Sequence, residues 1–497
     1  MTFTWTDLIT LDLGKLNEAV TEWKTAEEEL GKLQGTVRDG LLKKSEAARW
    51  EGVNATVTRE FVRSATKEVA DLQSEAKSIH AVLADAHAEL TRLQKRAKDL
   101  AEEARAGDPL RDSEPDPGLL VSDAGGGKVR VESSICDARG TSQRTQDMMR
   151  WYADTLTSLV THAAEVDAAT TRALRSSHGA DPHNAGHATY TSLDQDQLPR
   201  AMKLAALGGD AKPAQEAELR RLWQSLSPDA RAQLWTAHKD DLLAAGLFNP
   251  SVKNVATDRG SGKHGEKDPG LGDWANHAKA GALVDGADMF GLTDASRHMH
   301  HYLANGGEFM KLPVDKMLND NQGFQTHIDR KHLLDNETDW REQALAEFQR
   351  NGGRPVAIPV ETPSGKDYSF TKETDPNWFY AVGSARSNVT GVVTVVPGSD
   401  GQPVVGLDYQ VNVWDRYNWD EGKGVDVGPV YIPDGEMGQQ HKVGLAQEFD
   451  MAGSSSVKHY ELLGTGSALP GPDDPGRTGE RSDPGRHVRD GEGELGR

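Results

Sequence analysis

Apolar residues recur at three- and four-residue steps through the first hundred positions. From Gly14 to Trp50 the series is Leu16, Val20, Trp23, Leu30, Leu33, Val37 and Leu41, with Glu, Lys and Ala between them, which predicts a helix. The next series is cleaner. Val57, Phe61, Ala65, Val69, Leu72, Ala76, Ile79, Leu83, Ala86, Leu90, Leu93, Ala97 and Leu100 form a heptad-like seam reaching Ala104, interrupted by neither Gly nor Pro. At 1.5 Å per residue, about 50 residues make a rod of roughly 75 Å. A rod of that length needs a partner helix over its seam. The first helix, folded back at Trp50-Glu51-Gly52, supplies one.

Punctuation follows. Asp108 to Lys128 holds Pro109, Pro115, Pro117 and Gly125-Gly126-Gly127, which predicts a loop or flexible linker. Thr141 to Arg175 returns to helical spacing through Met148, Tyr152, Leu156, Leu159, Val160, Ala163 and Val166. A polar stretch leads to short amphipathic helices around Leu219, Leu222, Trp223, Leu234 and Trp235. Ser227 is the expected N-cap of one of them and Pro228 its first residue. Asp258 to Gly272 reads as a second linker.

From Asp273 the periodicity changes. Helices are expected over Trp274–Phe290, Ala295–Leu303 and Asp335–Gln349. Strands are expected at Val356–Val360, Trp378–Ala385, Val389–Val396 and Val404–Trp414, with a hairpin turn at Asp400-Gly401. Val425–Val427 and Val430–Ile432 are extended, and a closing helix is expected from Asp434 to Phe449. The chain thus reads as multidomain. An all-α helical hairpin or bundle (1–178) precedes a linker (179–196), a short helical segment (197–258) and a second linker (259–272). An α+β domain with an antiparallel sheet (273–463) and a Gly/Pro-rich disordered tail (464–497) complete it.

Composition narrows the function. Among 497 residues, 56 basic against 77 acidic side chains give a net charge of −21, which argues against nucleic-acid binding by the bulk surface. A single cysteine, Cys136, rules out an intrachain disulfide, and no His stands near it to activate a thiol. Met1 to Leu13 has no basic start or apolar core, so no Sec signal is expected there, and no apolar run is long enough for a membrane span.

Candidate chemistry concentrates near the C-terminal end of the strands. Trp414-Asp415-Arg416-Tyr417-Asn418-Trp419-Asp420 follows a strand of alternating valines and runs into Gly422-Lys423-Gly424. Charged groups held by aromatics at a strand end suit a site, and they equally suit a structural hairpin. His441 and Glu448, seven apart on the expected closing helix, share a face and could form an acid/base pair beside Asp415 or Arg416. The candidate catalytic set is therefore Asp415, Arg416, Asp420, His441 and Glu448. His298 and His301, three apart on a helix, are the only candidate metal pair, without the H-E-x-x-H pattern or a Cys cluster, and a packing role competes with that reading. Gly260-Ser261-Gly262-Lys263 follows no strand and is read as linker rather than phosphate loop, so no cofactor is expected.

Two long helices joined by Trp50-Glu51-Gly52 resemble the W-x-G (ESAT-6-like) hairpins exported by type VII (ESX) systems. Leu222-Trp223-Gln224-Ser225-Leu226-Ser227-Pro228 resembles a segment that often follows such modules in actinobacterial proteins. Trp378-Phe379-Tyr380-Ala381-Val382-Gly383, Asp415-Arg416-Tyr417-Asn418-Trp419-Asp420 and Gly444-Leu445-Ala446-Gln447-Glu448-Phe449-Asp450 are similar to a domain of unassigned activity in polymorphic-toxin-like proteins. The resemblance implies Sec-independent export to the surface or medium, a partner W-x-G hairpin or secretion chaperone, and an immunity protein against a toxic C-terminal domain. No Tyr-x-x-x-Asp/Glu stands between Leu90 and Leu120, and Tyr417–Glu421 has that spacing in another domain, so the export signal would come from the partner hairpin. Two other readings stay open: a non-enzymatic surface or binding protein, and a coiled-coil assembly module in a chain that stays in the cytoplasm.

Overall fold

The structure is a computed structural model. It describes residues 3–107, 118–134, 143–177, 189–251, 261–289, 291–363, 368–399, 401–419, 424–427, 430–462 and Leu469. Cys136, Asp400, Asp420 and most of the expected tail lie outside the described residues.

The two long apolar series form a hairpin. Helix α1 (Trp5–Thr10) leads into α2 (Leu13–Thr36), which continues through a π-helical turn (Val37–Leu42) into α3 (Lys43–Ala47). After the turn, α4 (Val53–Ala106) runs unbroken for 54 residues, about 80 Å. Gly52 has φ of 104°, a conformation that costs any residue with a Cβ. Arg59 fastens the turn from α4, donating to the carbonyls of Ser45 (3.2 Å), Ala48 (2.9 Å) and Trp50 (3.0 Å). The two ends of the hairpin differ. Toward the chain's core, Val82, Leu93 and Leu100 are buried against Tyr152, Leu156 and Val160 of α5 (Gln143–Ser177). Toward the turn, α2 buries no residue, and Trp50, Val53, Val57 and Phe61 are exposed.

Part of the predicted loop is structured. Residues 119–133 form an antiparallel hairpin, β1 (Leu119–Gly125) and β2 (Lys128–Ser133), with Gly126-Gly127 at its tip. Alternating Leu119, Val129 and Val131 pack onto α4 and α5, and the Val129 N–H donates to Thr157 Oγ1 at 2.9 Å. The prolines and glycines masked this short period-2 pattern.

The middle segment is helical: α6 (Asp194–Ala205), α7 (Pro213–Ser225) and α8 (Pro228–Ala244). Ser227 caps α8 by accepting from the Ala230 N–H, with Pro228 at its first position. The C-terminal region adds α9 (Leu271–Met289), α10 (Thr293–Leu303), β3 (Met310–Lys311), α11 (Val314–Asp320), α12 (Gln322–Ile328) and α13 (Asp335–Arg350). Then come β4 (Val356–Glu361), β5 (Tyr368–Ser369), α14 (Pro376–Ala381), β6 (Ser384–Pro397) and β7 (Pro403–Tyr417). The hairpin of β8 (Gly424–Val427) and β9 (Val430–Pro433), then α15 (Asp434–Lys442), β10 (Phe449–Ser454) and β11 (Lys458–Glu461), complete it.

The main sheet runs β3-β10-β7-β6-β4, antiparallel throughout except for the β3–β10 pair. Its two faces are both covered, which explains the long Val-rich strands. Val389, Val393, Val411 and Val413 point to the core formed with α10 to α14. Ala357 and Val392 point the other way, into the core of the middle helices. No helix among the described residues is long and apolar enough to cross a membrane.

Two expected elements are different. Trp378–Ala385 does not form one strand: β6 begins only at Ser384, and Pro376–Ala381 is helical. Asp375 caps it, accepting from the Trp378 N–H at 3.1 Å, and Pro376 opens it. The expected closing helix stops at Lys442, and Phe449 already belongs to β10. His441 and Glu448 therefore do not share a helix face.

Candidate functional site

Arg416, His441 and Glu448 nevertheless meet, through tertiary packing rather than helical spacing. Arg416 stands near the end of β7, registered opposite Asp450 on β10. Its Nη1 donates to Asp450 Oδ1 at 3.0 Å, its Nε lies 3.5 Å from Glu448 Oε2, and Nη1 is 3.8 Å from Asp147 Oδ2 on α5. One guanidinium thus gathers three carboxylates, one of them from the helical bundle.

Glu448 is 3% exposed and its other oxygen, Oε1, accepts from the Ser261 N–H at 2.7 Å. Ser261 belongs to a segment read as linker. From Ser261 to Gly270 it lies as a strap over α15: Ser261 Oγ donates to the Trp419 carbonyl at 2.8 Å, and the Gly265 and Lys267 N–H groups donate to the carbonyls of His441 and Lys442. The fit is close. A Cβ on Gly438 would sit 2.6 Å from Ser261 Oγ and 2.9 Å from the Trp419 carbonyl oxygen.

His441 closes the network. Its Nδ1 accepts from the Glu448 N–H at 3.1 Å and its Nε2–H donates to the Gly262 carbonyl at 3.1 Å. Those partners assign the neutral Nε2–H tautomer. Burial holds the imidazole below its usual pKa, with nearby Glu448 opposing the shift. His264 lies 5.2 Å away, ring centre to ring centre, and is paired with Asn305 at 2.8 Å.

The other candidates among the described residues lie apart from this cluster. Strand alternation puts Asp415 on the opposite side of β7 from Arg416. Asp420 lies outside the described residues. His298 is fully buried, its Nδ1–H donating to the Ala381 carbonyl at 2.6 Å, and burial lowers its pKa to about 4. His301 donates to the Glu308 carbonyl at 2.7 Å and packs edge-on to Phe449. The two histidines are spent on backbone carbonyls and aromatic contacts, and the described residues contain no group of three His, Cys, Asp or Glu able to hold a metal ion.

Chemically, the cluster is a closed lock. Both nitrogens of His441 and both oxygens of Glu448 are engaged, and the residues that engage them are the chain's own. Sequence reasoning found Arg416, His441 and Glu448 but missed Ser261, Gly262, Asp450 and Asp147. The available signal was the Ser261-Gly262-Lys263-His264-Gly265 run, whose glycines permit close backbone approach as readily as flexibility. The chain matches no protein-family model, no curated protein and no solved structure.

Proposed function

We propose that this chain is an exported, toxin-like effector, in which the helical hairpin is the delivery module and the C-terminal α+β region the effector. The observation that carries the reading is the free end of the hairpin. Val53, Val57 and Phe61 are exposed there on one stripe of α4, Phe61 to 70%, beyond the part of α4 that α5 covers, and Trp50 is exposed in the turn. A monomer gains nothing from holding such a stripe in water. A second helical hairpin laid along it would bury the stripe, as the W-x-G resemblance implies.

The test is export of the full chain from an actinobacterial host with an active type VII system. Wild-type protein should reach the medium, and Phe61→Glu should not, although it folds normally because the side chain is exposed. Wild-type export that persists after the system's ATPase is deleted would refute the route.

A second reading, a binding protein without catalysis, is favoured by one observation: His441 and Glu448 are buried and satisfied by the chain's own groups, Arg416 among them. The two readings part on Arg416→Ala and His441→Ala. Toxicity lost at unchanged stability supports an enzyme built on these residues. Toxicity lost only in step with stability supports binding by the folded surface.

A further inference from the structure

The middle helices, the outer face of the sheet and Arg92 of α4 line an open pocket of about 390 Å³, within the range of small-ligand sites. Arg92, Arg220 and Arg231 line it, together with Trp223, Phe248 and Glu361. Three guanidiniums on one cavity run against a chain whose net charge is −21.

Their partners are unequal. Arg92 is chelated by Glu89 at 3.0 and 2.6 Å. Arg220 donates only to the Ala245 carbonyl, at 2.7 Å. Arg231 donates only to the carbonyls of Trp223 and Gln224, at 2.7 and 2.6 Å. Among the described residues neither Arg220 nor Arg231 has a carboxylate within ion-pair distance. Glu361, on the same wall, keeps its charge and accepts from the Ser251 N–H and hydroxyl and from Asn388 Nδ2.

We propose that this cavity binds a small organic monophosphate. Its charge of about −1.5 to −2 is met by two guanidiniums that have no ion pair among the described residues, with Glu361 offsetting part of their charge, and guanidinium forks suit phosphate oxygens geometrically. Phe248, Val360 and Val392 give the rest of the ligand an apolar wall, so a flat hydrocarbon or aryl group fits better than a polar one. A carboxylate brings half the charge and binds more weakly. The cavity does not involve the Arg416 cluster, and the inference stands whether or not the chain is a toxin.

The experiment titrates the full chain with phenyl phosphate, inorganic phosphate and benzoate by calorimetry. Phenyl phosphate should bind saturably and at least about tenfold more tightly than benzoate. Arg220→Gln should weaken binding by about tenfold or more, the loss of a charge-assisted hydrogen bond. Because Arg220→Gln also removes a bond to Ala245, Arg220→Lys is the decisive variant. It keeps the charge and a donor for the Ala245 carbonyl, loses the planar fork, and should keep the melting temperature while weakening binding. No saturable binding of phenyl phosphate in the millimolar range overturns the proposal. So does binding that survives both substitutions unchanged. Inorganic phosphate binding as tightly as phenyl phosphate would overturn the apolar half of the proposal.

Discussion

Replacing Glu448 separates a structural lock from a catalytic pair. Glu448 makes two side-chain interactions: Oε1 takes the Ser261 N–H at 2.7 Å, and Oε2 faces Arg416 Nε at 3.5 Å. Removing one partner of a buried ion pair costs about 3–5 kcal/mol when the other charge is left alone. Here Arg416 keeps Asp450 at 3.0 Å and Asp147 at 3.8 Å, so that penalty does not apply in full. Glu448→Gln preserves an acceptor for Ser261 but loses the charge assistance and turns an amide NH2 toward Arg416 Nε, together about 1–2 kcal/mol. Glu448→Ala strands the Ser261 N–H, about 1–3 kcal/mol, and leaves a hole in a 3%-exposed site, for a total near 3 kcal/mol. Urea unfolding of the full chain, followed by far-UV circular dichroism, measures both. If Glu448→Ala costs under about 1 kcal/mol, the strap is not held as argued. If the Gln variant costs as much as Ala, the charge matters more than the hydrogen bond and Arg416 is poorly compensated.

Two further outcomes test neighbouring features. Burial lowers His298 and His162 to about 4, below the unfolded value near 6.5. The unfolded chain therefore binds more protons between those limits, so stability is full above about pH 6.5 and falls as pH drops toward 4. Each histidine costs about 2 kcal/mol between pH 7 and 5, and His298→Asn, which keeps a donor for the Ala381 carbonyl, should remove its share; an unchanged pH dependence in that variant refutes the assignment. Gly438→Ala places a methyl 2.6 Å from Ser261 Oγ and should destabilise by about 1–3 kcal/mol, whereas a neutral result in the same unfolding assay means the strap lifts away freely.

The helical part was legible because its signal is long. Thirteen apolar positions at three- and four-residue steps predict α4 whatever its neighbours are, and the observed helix spans Val53–Ala106. Ser227-Pro228 was legible because a cap is chemistry local to a few residues. Short elements failed for the converse reason. Trp378-Phe379-Tyr380 has strand-like composition, yet Asp375 and Pro376 start a helix there, and two flanking residues outweighed the aromatics. His441 and Glu448 were linked by a helical spacing that does not exist. They meet because β10 leaves α15 and folds back, so that the Glu448 N–H reaches the His441 ring. Pairing across the strap was invisible to any local pattern, since Ser261 and Glu448 are separated by 187 positions.

That long-range pairing bears on where an effector unit can be cut. A fragment of residues 273–463, bounded by the change in periodicity, omits Ser261 and so leaves Glu448 without its backbone donor. It also strips the outer face of the sheet. Ala357 and Val392 lose the core they share with Trp223, Trp235 and Phe248, Thr390 loses the Phe248 carbonyl, and buried Asp408 loses Lys239 at 2.7 Å. Uncovering one face of a two-faced sheet exposes apolar surface worth about 25 cal/mol per Å² and an open template for association. A fragment beginning at residue 189 retains the middle helices and the strap. The longer fragment should unfold cooperatively and stay monomeric, and the shorter should be less stable or aggregate. Equal stability of the two would mean that the middle helices merely rest on the sheet. Toxicity measured on the shorter fragment alone would then be interpretable, and otherwise its absence says nothing about the activity of the intact chain.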